Sequence, residues 1–91
     1  MQNKEDDLAI EVLEDVLEKD PDDVKSLIIY GGIQQVRQEN EAAQEAYERV
    51  LQLDPKNDRV YALLANLYLS QNDTENSERV LDEMLTHFPD S

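Results

Sequence analysis

The side chains that could support catalysis are few and scattered along the chain. The sequence contains one histidine, His87, and no cysteine, so a thiolate nucleophile, a Cys-based metal site and a disulfide are all excluded. His87 lies at the predicted end of a helix, where a positive charge is favourable toward the helix dipole. We therefore interpret His87 as a structural residue and not as a catalytic one.

Acidic residues are abundant, but their positions do not form a recognisable site. A carboxyl group becomes an acid catalyst when its pKa is raised toward the working pH, and these carboxylates occupy positions predicted to face water. The first acidic run, Glu5-Asp6-Asp7, lacks the glycine and the closing glutamate of a calcium-binding loop. The sequence therefore predicts no enzymatic activity, no metal site and no cofactor.

The charge balance restricts the partners of this chain. The 91 residues include 22 acidic and 8 basic side chains, which gives a net charge of −14. Binding to nucleic acid or to an anionic membrane surface requires clustered Lys and Arg, so both are disfavoured. A basic partner remains compatible with this charge, although a solvated acidic surface is the simpler interpretation.

No targeting or membrane segment is predicted. The first residues, MQNKEDD, have no apolar core of the kind found in a signal peptide. No apolar run approaches the roughly 20 residues that span a membrane. The cytoplasm is the default expectation, unless the sequence is an excerpt from a longer chain.

The elements that position these residues recur along the chain. Pro21, Pro55 and Pro89 are spaced 34 residues apart, and each follows an amphipathic segment. These segments read DLAIEVLEDVLEKDP, EAAQEAYERVLQLDP and ENSERVLDEMLTHFP. Apolar residues at i, i+3, i+4, i+7 and i+8 are typical of one helical face. A fixed period of this length is typical of stacked repeats.

Five helices are predicted, over residues 7–19, 24–37, 41–53, 58–70 and 74–87. Asp23, Asn40 and Asn57 are candidate N-caps. Gly31 and Gly32 lie inside the second helix, where each costs about 1 kcal/mol relative to Ala. Such a pair indicates either close approach by a neighbouring helix or the floor of a groove.

The second and fourth helices also match each other at an offset of 34 residues, the same offset as the prolines. The combined pattern of apolar and small residues and prolines resembles that of the tetratricopeptide repeat family. The first copy reads Leu27-x-x-Tyr30-Gly31, then Ala43-x-x-x-Tyr47, then Pro55. The second reads Tyr61-x-x-Leu64-Ala65-x-x-Tyr68, then Ser77-x-x-x-Leu81, then Pro89. The pattern departs from the family in having no Trp in the first large position.

The resemblance implies an all-α fold, in which antiparallel helix pairs stack into a right-handed superhelix. It implies one array, with residues 1–23 as the second helix of a partial repeat and residues 24–57 and 58–91 as full repeats. It also implies that Tyr47 and Leu81, which occupy the same position of successive repeats, are buried between helices.

In this family the first helix of each pair lines a concave surface that commonly binds an extended peptide or a helix. The resemblance places there Lys25, Ile28, Gly32, Gln35 and Val36, with Arg59, Ala62, Asn66, Leu69 and Ser70. One subfamily binds the acidic tails of chaperones through basic and Asn side chains. Asn66 fits that pattern, but Ile28, Gly32 and Ala62 do not, so this ligand is disfavoured.

The ends of the array suggest a second surface. An array is stable when each apolar face has a neighbour, and the outermost helices lack one. Leu8 and Ile10 in the first helix, and Leu85 and Phe88 at the end of the last, are therefore candidates for self-association, with a homodimer as the simplest product.

Three functions follow from these patterns. We expect a non-catalytic module that binds a protein or peptide through its concave face. The alternatives are a self-association module that uses its terminal helices, and a scaffold segment of a larger protein whose catalytic domain lies elsewhere.

Overall fold

A computed structural model describes residues 4–87 and shows a helical protein without a strand in that range. The helices are α1 (Lys4–Lys19), α2 (Val24–Val36), α3 (Asn40–Leu53), α4 (Asp58–Ser70) and α5 (Thr74–His87). The predicted all-α class and the five helices are thus confirmed. The first helix begins earlier than predicted, because the acidic side chains of Glu5 and Asp6 suit the positive end of a helix dipole.

Short polar turns separate the helices, and their side chains satisfy exposed backbone groups. The predicted cap Asn57 accepts a hydrogen bond on Oδ1 from the backbone N–H of Val60 at 3.2 Å. Asp73 receives the equivalent bond from the N–H of Asn76 at 3.2 Å. Asp23 does not cap the backbone of α2 but accepts a bond from the Ser26 hydroxyl at 2.9 Å. Glu39 takes the cap position predicted for Asn40, which is the first residue of α3.

The turns after α2 and α4 share one conformation. Gln38 and Asn72, which are one sequence period apart, both have positive φ, at 63° and 60°. In each case the next N–H donates back to a carbonyl in the last helical turn, from Glu39 to Gln34 at 2.8 Å and from Asp73 to Tyr68 at 2.9 Å. The period of the sequence therefore reappears in the backbone.

The core lies along α3 and α4. Helix α3 packs on both α2 and α4, while α4 also packs on α5 and α2 on α1. A central helix with neighbours on two sides buries more of its surface than a terminal one. The largest fully buried side chains are Tyr47, Val50, Val60, Leu67 and Val80.

Burial of Tyr47 is confirmed, but the matching prediction for Leu81 is wrong. Tyr47 is 0% exposed, whereas Leu81 is 37% exposed. The two side chains occupy equivalent positions, but α3 lies between two helices and the main packing partner of α5 is α4 alone. Within residues 4–87, therefore, no helix covers the same side of α5 in the way that α4 covers α3.

The terminal apolar residues also differ from expectation. Leu8 is exposed as expected, whereas Ile10 is only 7% exposed and is the one buried residue of α1. Residues two positions apart point to nearly opposite sides of a helix, so packing of α1 on α2 covers Ile10 and leaves Leu8 in solvent. Ile10 is therefore a core residue and is not available for self-association. Leu85 is 50% exposed, and Phe88 lies outside the described residues.

Candidate functional site: the outward faces of α2 and α4

The outward face of α2 is a single stripe of exposed and half-buried residues. Lys25, Ile29 and Val36 are exposed and Gly32 is half-buried, and their spacing of i, i+4, i+7 and i+11 places them on one side of the helix. Ile29 is 53% exposed, although it is a large aliphatic residue. Its spacing from Lys25 and Gly32 is the signal that could have identified it.

Two further predicted residues of α2 border this stripe. Ile28 and Gln35 are half-buried, and Ile28 packs against the core. The Tyr47 hydroxyl donates a hydrogen bond to Gln35 Oε1 at 3.1 Å. Gln35 is thus held in position by α3, which leaves its amide nitrogen as the group that could donate to a ligand.

The equivalent face of α4 is also open to solvent. Arg59, Ala62, Asn66 and Leu69 are exposed, and all four were predicted as binding residues. Ser70 is exposed as well, but its hydroxyl donates to the Leu67 carbonyl at 2.7 Å. Among the described residues, no hydrogen bond or ion pair joins the predicted residues of α2 to those of α4.

The two adjacent glycines of α2 have different roles. A Cβ on Gly31 would lie 2.6 Å from Tyr47 Cε1, whereas one on Gly32 would meet only the Tyr47 hydroxyl, at 3.9 Å. Gly31 therefore permits the close approach of α3 that the sequence suggested. Gly32 has room for a side chain and leaves the backbone of α2 open at the centre of the stripe.

Helices α2 and α4 contain fewer acidic residues than α1, α3 and α5. Helix α2 contains no acidic residue, and α4 contains only Asp58. In α1, by contrast, seven of the 16 residues are acidic. Lys25 and Arg59 form no ion pair within residues 4–87, whereas Arg37, Arg49 and Arg79 are paired with Asp7, Asp22 and Glu83. The two cations are therefore free to meet an external group.

The buried tyrosines of α3 and α4 contribute to the packing of the helices. Burial raises the pKa of Tyr47, of Tyr61 and of Tyr68, and the neighbouring Glu83 and Glu48 raise the pKa of the last two further. These phenols stay protonated at neutral pH and donate hydrogen bonds, as Tyr61 does to the Pro55 carbonyl at 2.9 Å. His87 stacks on the Tyr61 ring at 6.0 Å between centroids, which agrees with a structural role.

The described part of the chain offers neither a metal-binding cluster nor a membrane-spanning helix. Residues 4–87 contain no group of three or more His, Cys, Asp or Glu side chains that could hold a metal ion. Within the same range, no helix combines the length and the hydropathy that a membrane crossing requires.

Comparison with known families gives a match over more than half of the chain. The sequence model of the family described as "Tetratricopeptide repeat" matches residues 37–91. This range includes the last residues before α3 and continues through α4 and α5. The match therefore covers α3, α4 and α5.

Two curated proteins are similar over most of this chain. Protein O-mannosyl-transferase TMTC3 of Homo sapiens is 33% identical over 82 residues, which is 89% of this chain and 9% of the human protein. General transcriptional corepressor trfA of Dictyostelium discoideum is 25% identical over 85 residues, or 93% of this chain and 6% of that protein. The chain thus spans less than a tenth of the length of either relative.

Proposed function

Because this chain belongs to the tetratricopeptide repeat family, whose members generally mediate protein–protein interactions, we propose that it binds a protein or peptide through a concave surface formed by α2 and α4. In this proposal residues 24–57 and 58–91 are two repeats that follow the second helix of a partial one. The binding residues are Lys25, Ile28, Gly32, Gln35, Arg59, Ala62, Asn66 and Leu69, to which the structure adds Ile29.

The observation that carries the proposal is the combination of exposure and charge on these two helices. Ile29 and Leu69 are large apolar side chains that remain in solvent, and Lys25 and Arg59 have no acidic partner among the described residues. Exposed apolar groups interspersed with unpaired polar groups are typical of a peptide-binding surface. The net negative charge of the other faces would disfavour the binding of acidic molecules there.

The two relatives support a binding role over a catalytic one. One is named a transferase and the other a transcriptional corepressor, and the similar segment covers most of this chain in both cases. Because a similar segment occurs in a transferase and in a transcriptional corepressor, a role that both proteins could share, such as protein binding, is favoured. If this chain is part of a longer enzyme, we propose that its catalytic groups lie in another domain.

The test uses a peptide selected from a random library on the immobilised chain, then titrated in solution by calorimetry. Arg59→Ala/Asn66→Ala is expected to raise the Kd of this peptide by about tenfold, because both side chains are exposed and have no intramolecular partner among the described residues. The melting temperature should stay nearly constant, since surface changes cost under about 0.5 kcal/mol.

Gln52→Ala/Lys56→Ala is the matched control. It also removes one amide and one cation, but from exposed positions outside α2 and α4. We expect its Kd to stay within about twofold of the parent value. Equal Kd values for the parent and Arg59→Ala/Asn66→Ala would contradict binding at this surface.

Self-association remains a second candidate because α5 carries the exposed residues Leu81 and Leu85 on a side that no helix covers within residues 4–87. Charge opposes it, since each copy has a net charge of −14, and dimers should therefore become more populated as salt screens the repulsion. We expect light scattering to show a larger mass at high salt for the parent but not for Leu85→Glu. A monomeric parent at every salt concentration would exclude this role for α5.

A further inference from the structure

Helix α1 has an apolar stripe on the side opposite its buried residue Ile10. Leu8 and Val12 are one helical turn apart and are 62% and 63% exposed. Together with acidic side chains of the same helix, they line a shallow open depression on the surface, formed by Leu8, Glu11, Val12, Glu14, Asp15 and Glu18. This surface is separate from the outward faces of α2 and α4.

The equivalent face is a packing face on the other two helices of the same type. One and two sequence periods further along the chain, Val12 corresponds to Ala46 in α3 and to Val80 in α5, and both are buried. On α3 the face adjoins Leu17, Leu27 and Tyr30 of the preceding helices. On α5 it adjoins the equivalent residues Leu51, Tyr61 and Leu64. Other helices cover this face on α3 and α5, whereas within residues 4–87 no helix covers it on α1.

The charges beside this stripe also set α1 apart. Its side positions carry Glu11, Asp15 and Glu18, whereas the equivalent residues are Glu45, Arg49 and Gln52 in α3 and Arg79, Glu83 and Thr86 in α5. Asp15 is paired with Lys19 at 3.6 Å. Glu11, Glu14 and Glu18 have no hydrogen bond or ion pair within residues 4–87. The stripe on α1 is thus bordered by three carboxylates that have no partner among the described residues. Glu11 corresponds to a basic residue in α5 and Glu18 to neutral residues in both helices, whereas Glu14 corresponds to the acidic residues Glu48 and Asp82.

We propose that this face of α1 binds a basic amphipathic helix of a partner protein. Apolar side chains of the partner pack on Leu8 and Val12, and its Lys or Arg side chains meet Glu11, Glu14 and Glu18. A helix at this place repeats the packing that covers the equivalent faces of α3 and α5. A second copy of this chain is the poorer occupant, because it would bring the same three carboxylates toward one another.

The probe is a fluorescein-labelled peptide of about five helical turns, with Leu on one face and Lys on the other. A matched peptide with Glu in place of Lys tests the charge requirement. Anisotropy titrations are expected to show binding of the Leu/Lys peptide only, weakened by salt. Glu11→Gln/Glu14→Gln/Glu18→Gln should raise its Kd by more than about tenfold.

Two further variants distinguish this surface from general acidity. Glu75→Gln/Glu78→Gln/Asp82→Asn removes three exposed negative charges from α5 and should change the Kd by less than about twofold. Leu8→Ser/Val12→Ser keeps every charge and should raise the Kd as much as the α1 charge variant, with unchanged melting because both side chains are exposed. Titrations at pH 7 on the full 91-residue chain allow all four proteins to be compared directly.

Several outcomes would overturn the proposal. No binding of the Leu/Lys peptide would do so, as would equal weakening by the α1 and α5 charge variants, which would indicate attraction to net charge alone. Retained binding by Leu8→Ser/Val12→Ser would exclude the apolar stripe. Dimers of the parent that disappear in Leu8→Ser/Val12→Ser, measured by sedimentation, would identify a second copy as the occupant.

Discussion

Tyr47→Ala is expected to lower the free energy of unfolding by about 3–5 kcal/mol, the range for removal of a large buried aromatic side chain. Tyr47 is fully buried in α3 between α2 and α4. The truncation therefore leaves a cavity into which the surrounding structure can relax only in part. It also removes the hydroxyl that donates to Gln35 at 3.1 Å. Because small domains are stable by only about 5–15 kcal/mol, urea denaturation followed by circular dichroism should show a large fall in midpoint.

Two variants serve as controls for this prediction. Tyr47→Phe keeps the ring and loses only the hydrogen bond, which is worth about 0.5–1.5 kcal/mol. Leu81→Ala truncates the equivalent position in α5 but should cost less than Tyr47→Ala, because Leu81 is 37% exposed and a void there opens to water. A Leu81→Ala variant as unstable as Tyr47→Ala would contradict the difference in packing between the central and terminal helices.

Gly31→Ala and Gly32→Ala are expected to change stability in opposite directions. A Cβ at position 31 would lie 2.6 Å from a carbon of the Tyr47 ring, and overpacking of this kind costs about 1–3 kcal/mol, which we expect to outweigh the gain in helix propensity. A Cβ at position 32 meets nothing closer than 3.9 Å, so Gly32→Ala should gain up to about 1 kcal/mol from helix propensity. The measurement is again the free energy of unfolding, compared between adjacent residues of one helix.

The second repeat suggests how the cost at position 31 can be relieved. In the second repeat, Ala65 is equivalent to Gly31 and Leu81 is equivalent to Tyr47. The additional methyl group on α4 is therefore accompanied by a smaller side chain on α5. We expect Gly31→Ala to be less destabilising in a Tyr47→Leu background than in the parent, because the ring that obstructs the methyl group is gone. Strict additivity of the two free energies would show that the contact does not cause the cost.

Much of the fold could be predicted from the sequence because local patterns carry it. The three regularly spaced prolines, the apolar stripes between them and the polar turns determine where helices begin and end. The same period predicts that α2 and α4 are equivalent, which the matching turns at Gln38 and Asn72 show in the backbone. Exposure of Arg59, Asn66 and Leu69 also follows from this register. The choice of partner does not follow from it.

Only the tertiary structure decided which apolar side chains are covered. Ile10 and Leu8 are both large aliphatic residues on α1, yet one is buried and the other is in solvent. Tyr47 and Leu81 occupy the same position of the period. Helix α4 covers the far side of α3, whereas no described helix covers the far side of α5. Helical periodicity determines the direction of a side chain, while burial depends on whether another helix lies in that direction, and that is a property of the assembled stack.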